Sequence, residues 1–261
     1  MLVNHCHPFP PEFRPEPRPP GGGSVEELLA LMDELGIDRA AVFAPFTYQM
    51  EGGVRRCNEW ICEVVARHPD RFVGFMTVNP NEPETPELVG EFFSRGLVGV
   101  KLHPAVYKVR LDDPKIEPFW ERADELGLPV VVHTGVHGWL LDLYRPLRLD
   151  PVAQRHQNVK IIVEHMGGPE FFFEALAVVR NNPNCYAGIT AVLRPRGWGL
   201  PREWLSMLFD LLGPGRVIYG TDYPYQGLRE IAEDLEILRK MLPPADLDSV
   251  LGGNLERLLP R

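Results

Sequence analysis

Two histidines separated by one residue, His5 and His7, follow Leu2-Val3-Asn4. If that run is a strand, residues i and i+2 share a face, so the two imidazoles converge and Cys6 points away. Converging imidazoles suit a metal ion, with zinc–nitrogen distances of about 2.0–2.1 Å. A chance pair of surface histidines would have the same spacing, so the rest of the chain has to decide. His133 ends the apolar run Val130-Val131-Val132. His165 follows Ile161-Ile162-Val163-Glu164, and Asp222 closes the run that begins at Val217. Histidines and an aspartate ending four separate apolar runs form a joint signal. The bland alternative is several polar residues, each satisfied separately.

Such residues need a scaffold that brings strand ends together. Short β-branched or apolar runs recur at residues 2–5, 40–44, 72–78, 98–103, 129–133, 159–165, 185–190 and 216–222. Their ends fall roughly 25 to 40 residues apart, the repeat of a strand, a helix and two loops. Helical patterns occupy the gaps at residues 24–35, 58–67, 84–94, 116–126, 169–181, 202–212, 228–242 and 247–259. The first opens on a capping box, Ser24 with Glu27 three residues on, and stops at Gly36. Alternating strands and helices imply a parallel sheet. Eight units close most economically into a (β/α)8 barrel, expected as one domain over residues 1–261. An open, doubly wound sheet is the alternative, but no GxGxxG loop follows the first strand. In a barrel the active site lies at the C-terminal ends of the strands. That places loops 9–23 and 193–201 beside it.

Composition excludes some partners. Lys and Arg total 27 against 36 Asp and Glu, a net charge of −9, which argues against a nucleic-acid binder. The four cysteines lack CxxC spacing, which fits a reducing compartment. No apolar run is long enough for a membrane span, and no secretory leader pattern is visible. A cytoplasmic protein acting on a small molecule is expected, and a homo-oligomer is compatible with the sequence.

Six pieces occur in order along the chain: His5-x-His7, Val100-Lys101-Leu102-His103-Pro104, His133-Thr134-Gly135, Glu164-His165-Met166-Gly167-Gly168, Gly220-Thr221-Asp222-Tyr223-Pro224 and Gly252-Gly253-Asn254. Together they resemble the amidohydrolase superfamily, in the amidohydrolase-related branch that includes aminocarboxymuconate-semialdehyde decarboxylase. Many members carry an aspartate two residues before the first histidine, where this chain has Val3. The resemblance implies that His5, His7, His133 and Asp222 hold a divalent metal. Zinc is the first expectation, with manganese, iron and cobalt as alternatives. It also implies that His165 is the catalytic acid/base, with Asp222 able to assist the proton transfer.

One ion is expected. In some amidohydrolases a lysine in the place of Lys101 is carboxylated and bridges two ions; His133 and His165 would then both bind the second. Otherwise Lys101 would face an anionic substrate or a structural carboxylate. His103, His137, Arg194 and Tyr223 are further candidates for the pocket lining, beside Trp139, Trp198 and Tyr225. The leading expectation is hydrolysis of an amide or lactone-type C–N or C–O bond by metal-activated water. Non-oxidative decarboxylation on the same residues is the alternative, and a non-catalytic binding barrel is the third reading.

Overall fold

Every apolar run forms a strand, and every strand is parallel to its neighbours. The computed structural model describes residues 1–260. The strands are β1 (Leu2–Cys6), β2 (Arg39–Phe43), β3 (Phe72–Thr77), β4 (Gly99–Leu102), β5 (Pro129–His133), β6 (Lys160–Glu164), β7 (Cys185–Gly188), β8 (Val217–Ile218) and β9 (Gly220–Tyr223). They pair in the order β8-β7-β6-β5-β4-β3-β2-β1-β9. The run expected at residues 216–222 is one strand broken at Tyr219. Its first half pairs with β7 and its second half with β1. At the break the Tyr219 N–H donates to the Val250 carbonyl, and its own carbonyl accepts from Asn4 N–H. The ladder thus passes from one neighbour to the other, and the sheet closes as a (β/α)8 TIM barrel.

Alternation along the strands divides the side chains. Leu2, Ala41, Phe43, Val73, Phe75, Val131, Ile162 and Ile218 pack together inside the ring. Val3, Val42, Val100, Val130, Val132, Ile161 and Val163 join the larger layer between sheet and helices. That outer layer is built on α1 (Val25–Leu35), α2 (Gly53–Arg67), α3 (Thr85–Ser94), the single turn α4 (Pro104–Tyr107), α5 (Glu117–Glu125), α6 (Leu149–Arg155), α7 (Gly168–Asn181), α8 (Arg202–Leu212) and α9 (Leu228–Met241). Two short helices, α10 (Pro244–Asp248) and α11 (Asn254–Leu258), finish the chain.

The Ser24 hydroxyl accepts from Glu27 N–H at 3.1 Å, and Glu27 returns the bond to Ser24 N–H at 3.1 Å. Gly36 ends α1 in the left-handed region, at φ 67°. Several elements differ from expectation, among them the unforeseen single turn α4. Helix α2 starts at Gly53 rather than residue 58. The helix expected at 247–259 is divided at Ser249–Gly253 into α10 and α11. Helix α6 was not foreseen: its seven residues, with Pro151 in the first turn, are too few to show a helical period. No helix among the described residues is long and apolar enough to cross a membrane.

Candidate active site

Strict alternation would not assemble this site; left-handed residues do. On β1, Asn4 and His5 both turn into the barrel, and each lies 2.9 Å from a carboxylate oxygen of Glu164 on β6. Two consecutive inward residues require a bulge. The β1 register slips against both neighbours there, and His5 sits at φ 66°. On β6, Ile162 faces inward, so Glu164 is the next inward residue by parity. His165 reaches the site only because it and Met166 take φ 64° and 47°. Asp222 is at φ 56°. Such conformations cost a non-glycine residue about 1–3 kcal/mol and concentrate at functional sites.

The structure brings His5, His7 and Asp222 together, with one ligand-type atom from each within 4.8 Å of the others. His5 Nε2 lies 3.5 Å from Asp222 Oδ1 and 3.2 Å from Lys101 Nζ. As an ammonium, Lys101 donates to that nitrogen, which therefore carries the lone pair and leaves the proton on Nδ1. His133 does not join this group. Its Nε2–H donates to the Gly135 carbonyl at 2.6 Å, and its ring stacks between His103 at 4.0 Å and His137 at 4.5 Å. His165 donates from Nδ1 to the Thr190 carbonyl at 2.9 Å, so its Nε2 is unprotonated; that atom is buried with no partner. The His165 ring is 4.9 Å from that of His5 and 4.7 Å from that of His133.

Burial governs the titration of these groups. It holds His5, His7, His103, His133 and His165 well below the usual histidine range, helped by Lys101 and by neighbouring histidines. His137 is brought down to about 4 by burial and by Lys101. Burial also pushes Lys101 down to about 8, against the pull of Glu164 and Asp222. It pushes Asp222 up to about 7, against Lys101. The donor set fits a divalent cation: neutral imidazoles beside a buried carboxylate. His5 Nε2 has one lone pair, however, so Lys101 must give way for an ion to bind there.

Aromatic side chains surround this group. Trp198 covers His165 with ring centres 4.3 Å apart and donates from its indole N–H to the Val136 carbonyl at 3.0 Å. Only a glycine fits beneath it at 135, where a Cβ would come within 2.6 Å of the indole. Phe46 and Tyr48 stack at 5.8 Å, and Tyr225 lies 6.3 Å from His7. A recess of about 630 Å³ behind the 9–23 loop, bordered by Phe13, Trp60, Arg14 and Arg67, contains no histidine. The titratable cluster, rather than that recess, locates the chemistry.

Two expected pocket residues are committed elsewhere. Arg194 pairs with Asp234, buried on α9, at 2.8 Å. Tyr223 donates to the Ser24 carbonyl at 2.6 Å and accepts from Gly23 N–H at 3.1 Å, which ties down the 9–23 loop. Tyr223→Phe is accordingly expected to cost about 1–3 kcal/mol of stability, because it leaves the buried Gly23 N–H unpaired. Denaturant melts should register that loss, with substrate KM unchanged; a raised KM at wild-type stability would return Tyr223 to the pocket. Sequence reasoning passed over Glu164 as a site residue, although parity from Ile162 points to it.

The amidohydrolase family model matches residues 4–261. The chain belongs to the amidohydrolase family, in its amidohydrolase-2 branch. Among curated relatives, the 2-amino-3-carboxymuconate-6-semialdehyde decarboxylase of Dictyostelium discoideum is 26% identical over 232 residues, covering 76% of this chain and 63% of that protein. The chain therefore spans less than two thirds of that relative's length. The gamma-resorcylate decarboxylase of a Polaromonas species is 23% identical over 290 residues, covering 89% of this chain and 86% of the relative. A solved dihydroxybenzoic acid decarboxylase from Polaromonas, described with bound manganese and the inhibitor 2-nitroresorcinol, superposes with a TM-score of 0.75 at 20% identity, covering 98% and 96% of the two chains.

Proposed function

We propose that this amidohydrolase is a metal-dependent, non-oxidative decarboxylase of a small carboxylated aromatic compound. One observation carries the reading: the buried His5/His7/Asp222 group has the unprotonated, unpartnered Nε2 of His165 beside it. Hydrolysis, the reaction first expected from the residues, would use the same groups. The relatives are named decarboxylases, and that supports the lyase reading over it.

His5, His7 and Asp222 would hold the ion, and His133 would join them only by leaving the Gly135 carbonyl. Zinc and manganese both suit this nitrogen and oxygen set. When bound, the cation supplies positive charge that offsets the substrate's oxygens and draws electron density from the reacting carbon. His165 handles the proton. In R–COO⁻ + H⁺ → R–H + CO2, the electron pair of the breaking C–C bond stays with the ring carbon, which gains the proton as CO2 leaves. Nε2 starts unprotonated, so it first takes a proton from solvent or from a substrate hydroxyl and then returns it to carbon. Lys101, once displaced from His5 Nε2 by the ion, would offer its ammonium to the substrate carboxylate. Phe46, Tyr48, Trp198 and Tyr225 offer flat apolar faces to a planar ring.

The test is CO2 release from 2,6-dihydroxybenzoate and other ortho-hydroxybenzoates, with elemental analysis of wild type and His5→Ala. About one metal per chain, lost in the variant, with CO2 matching substrate consumed, is the expected result. Turnover of lactones or amides with no CO2 would restore hydrolysis. A wild type without metal after reconstitution would remove the ion from the mechanism.

A further inference from the structure

We propose that Glu164 is a positioning residue: its carboxylate orients His5 for metal binding and anchors the left-handed turn that aims His165. The metal-binding half of this rests on the reading given above. Glu164 is fully buried and has no Lys or Arg within ion-pair distance among the described residues. A carboxylate kept from water in this way needs donors, and the structure supplies them from three directions. Asn4 Nδ2 donates to Oε2 at 2.9 Å, and the backbone N–H groups of His165 and Thr190 donate to Oε1 at 3.2 Å each.

His5 Nδ1 also lies 2.9 Å from Oε2. Nδ1 makes no well-aligned hydrogen bond there, so the contact is a close electrostatic one on the Glu164 side of the ring. With Lys101 donating to Nε2 on the opposite edge, the ring is held with its proton toward Glu164 and its lone pair toward Asp222. A carboxylate behind a ligating imidazole fixes its tautomer and raises its basicity, and removing such a partner typically weakens metal affinity about 10- to 100-fold.

The same carboxylate binds the N–H of His165, the residue at φ 64°, and that of Thr190, whose carbonyl holds His165 Nδ1. One side chain therefore organises a candidate ligand and the candidate proton carrier on strands that are not neighbours. The barrel leaves room for it. Gly188, paired with Glu164 across β6 and β7, would place a Cβ 2.4 Å from Oε1 if it had one.

The experiment compares metal-free wild type with Glu164→Gln. Zn²⁺ affinity is read by chelator competition, and Co²⁺ coordination by its visible absorption. Glu164→Gln is expected to bind Zn²⁺ about 10- to 100-fold more weakly than wild type, with a changed Co²⁺ spectrum and an unchanged circular-dichroism spectrum. A residue that merely filled space would shift the melting temperature and leave the affinity alone. Wild-type affinity in Glu164→Gln would overturn the positioning role while the metal reading stands. Absence of binding in the wild type itself would overturn both. Should Glu164→Gln fail to fold, Gly188→Ala applies the same test by pushing the carboxylate off its donors: weakened binding supports the proposal, and wild-type affinity sinks it.

Discussion

His165→Asn is expected to lower kcat about 10²- to 10⁴-fold, the range of a positioned general acid or base, and to leave metal content unchanged. Asparagine is the informative replacement because its amide N–H can still donate to the Thr190 carbonyl, which preserves the turn. What it removes is the Nε2 lone pair, the only atom of the ring without a partner. His165 does not belong to the His5/His7/Asp222 group, so the ion should remain. If kcat and kcat/KM fall together, the missing interaction belongs to the transition state; a rise in KM alone would mean that the ring only helps to bind substrate. A loss smaller than tenfold would move the proton transfer to another group. Asp222, pushed up to about 7 by burial, would then be the next candidate, and Asp222→Asn would separate the two by losing metal as well as activity.

The positions of these groups were legible because each ends an apolar run, and the runs recur at barrel spacing. The structure places His5, His7, His165 and Asp222 close together at these strand ends. Their orientations were not legible. Parity along 161–165 argues for Glu164 as the inward residue, and nothing in residue type announces that His165 takes a left-handed turn to join it. The bulge that turns both Asn4 and His5 inward is equally silent, since a positive φ at a histidine leaves no compositional mark. Arg194 looked like a pocket cation because its partner, Asp234, is 40 residues away on a helix whose packing only the fold reveals. His133 differs in kind. It stands at the expected strand end, but a local carbonyl, Gly135, captures its ring. Strand patterns reach as far as the backbone address of a side chain. Competing hydrogen bonds decide where the side chain points.

Those buried histidines also predict that the metal-free fold is acid-sensitive. His5, His7, His103, His133 and His165 are all held well below 6.5 by burial, so the unfolded chain binds protons that the native chain refuses. The sign follows directly. A depressed native pKa contributes stability that is complete above the unfolded value of 6.5 and drains away as pH falls from there toward the native value. Each proton taken up on unfolding costs about 1.4 kcal/mol per pH unit. Asp222 opposes this: raised from 3.8 to about 7, it takes its proton in the native state first and adds stability between those limits. The buried histidines, with His137 lowered to about 4 beside them, outnumber Asp222, so stability falls as pH drops below 6.5. The melting temperature of the metal-free protein should therefore fall as pH is lowered from 6.5. Melting curves of chelated protein from pH 7.5 down to 4.5 test this, and a melting temperature flat across that window would mean that the cluster is already hydrated or protonated in the native state. Bound metal should steepen the dependence, because an ion on neutral imidazoles stabilises only the form that acid removes.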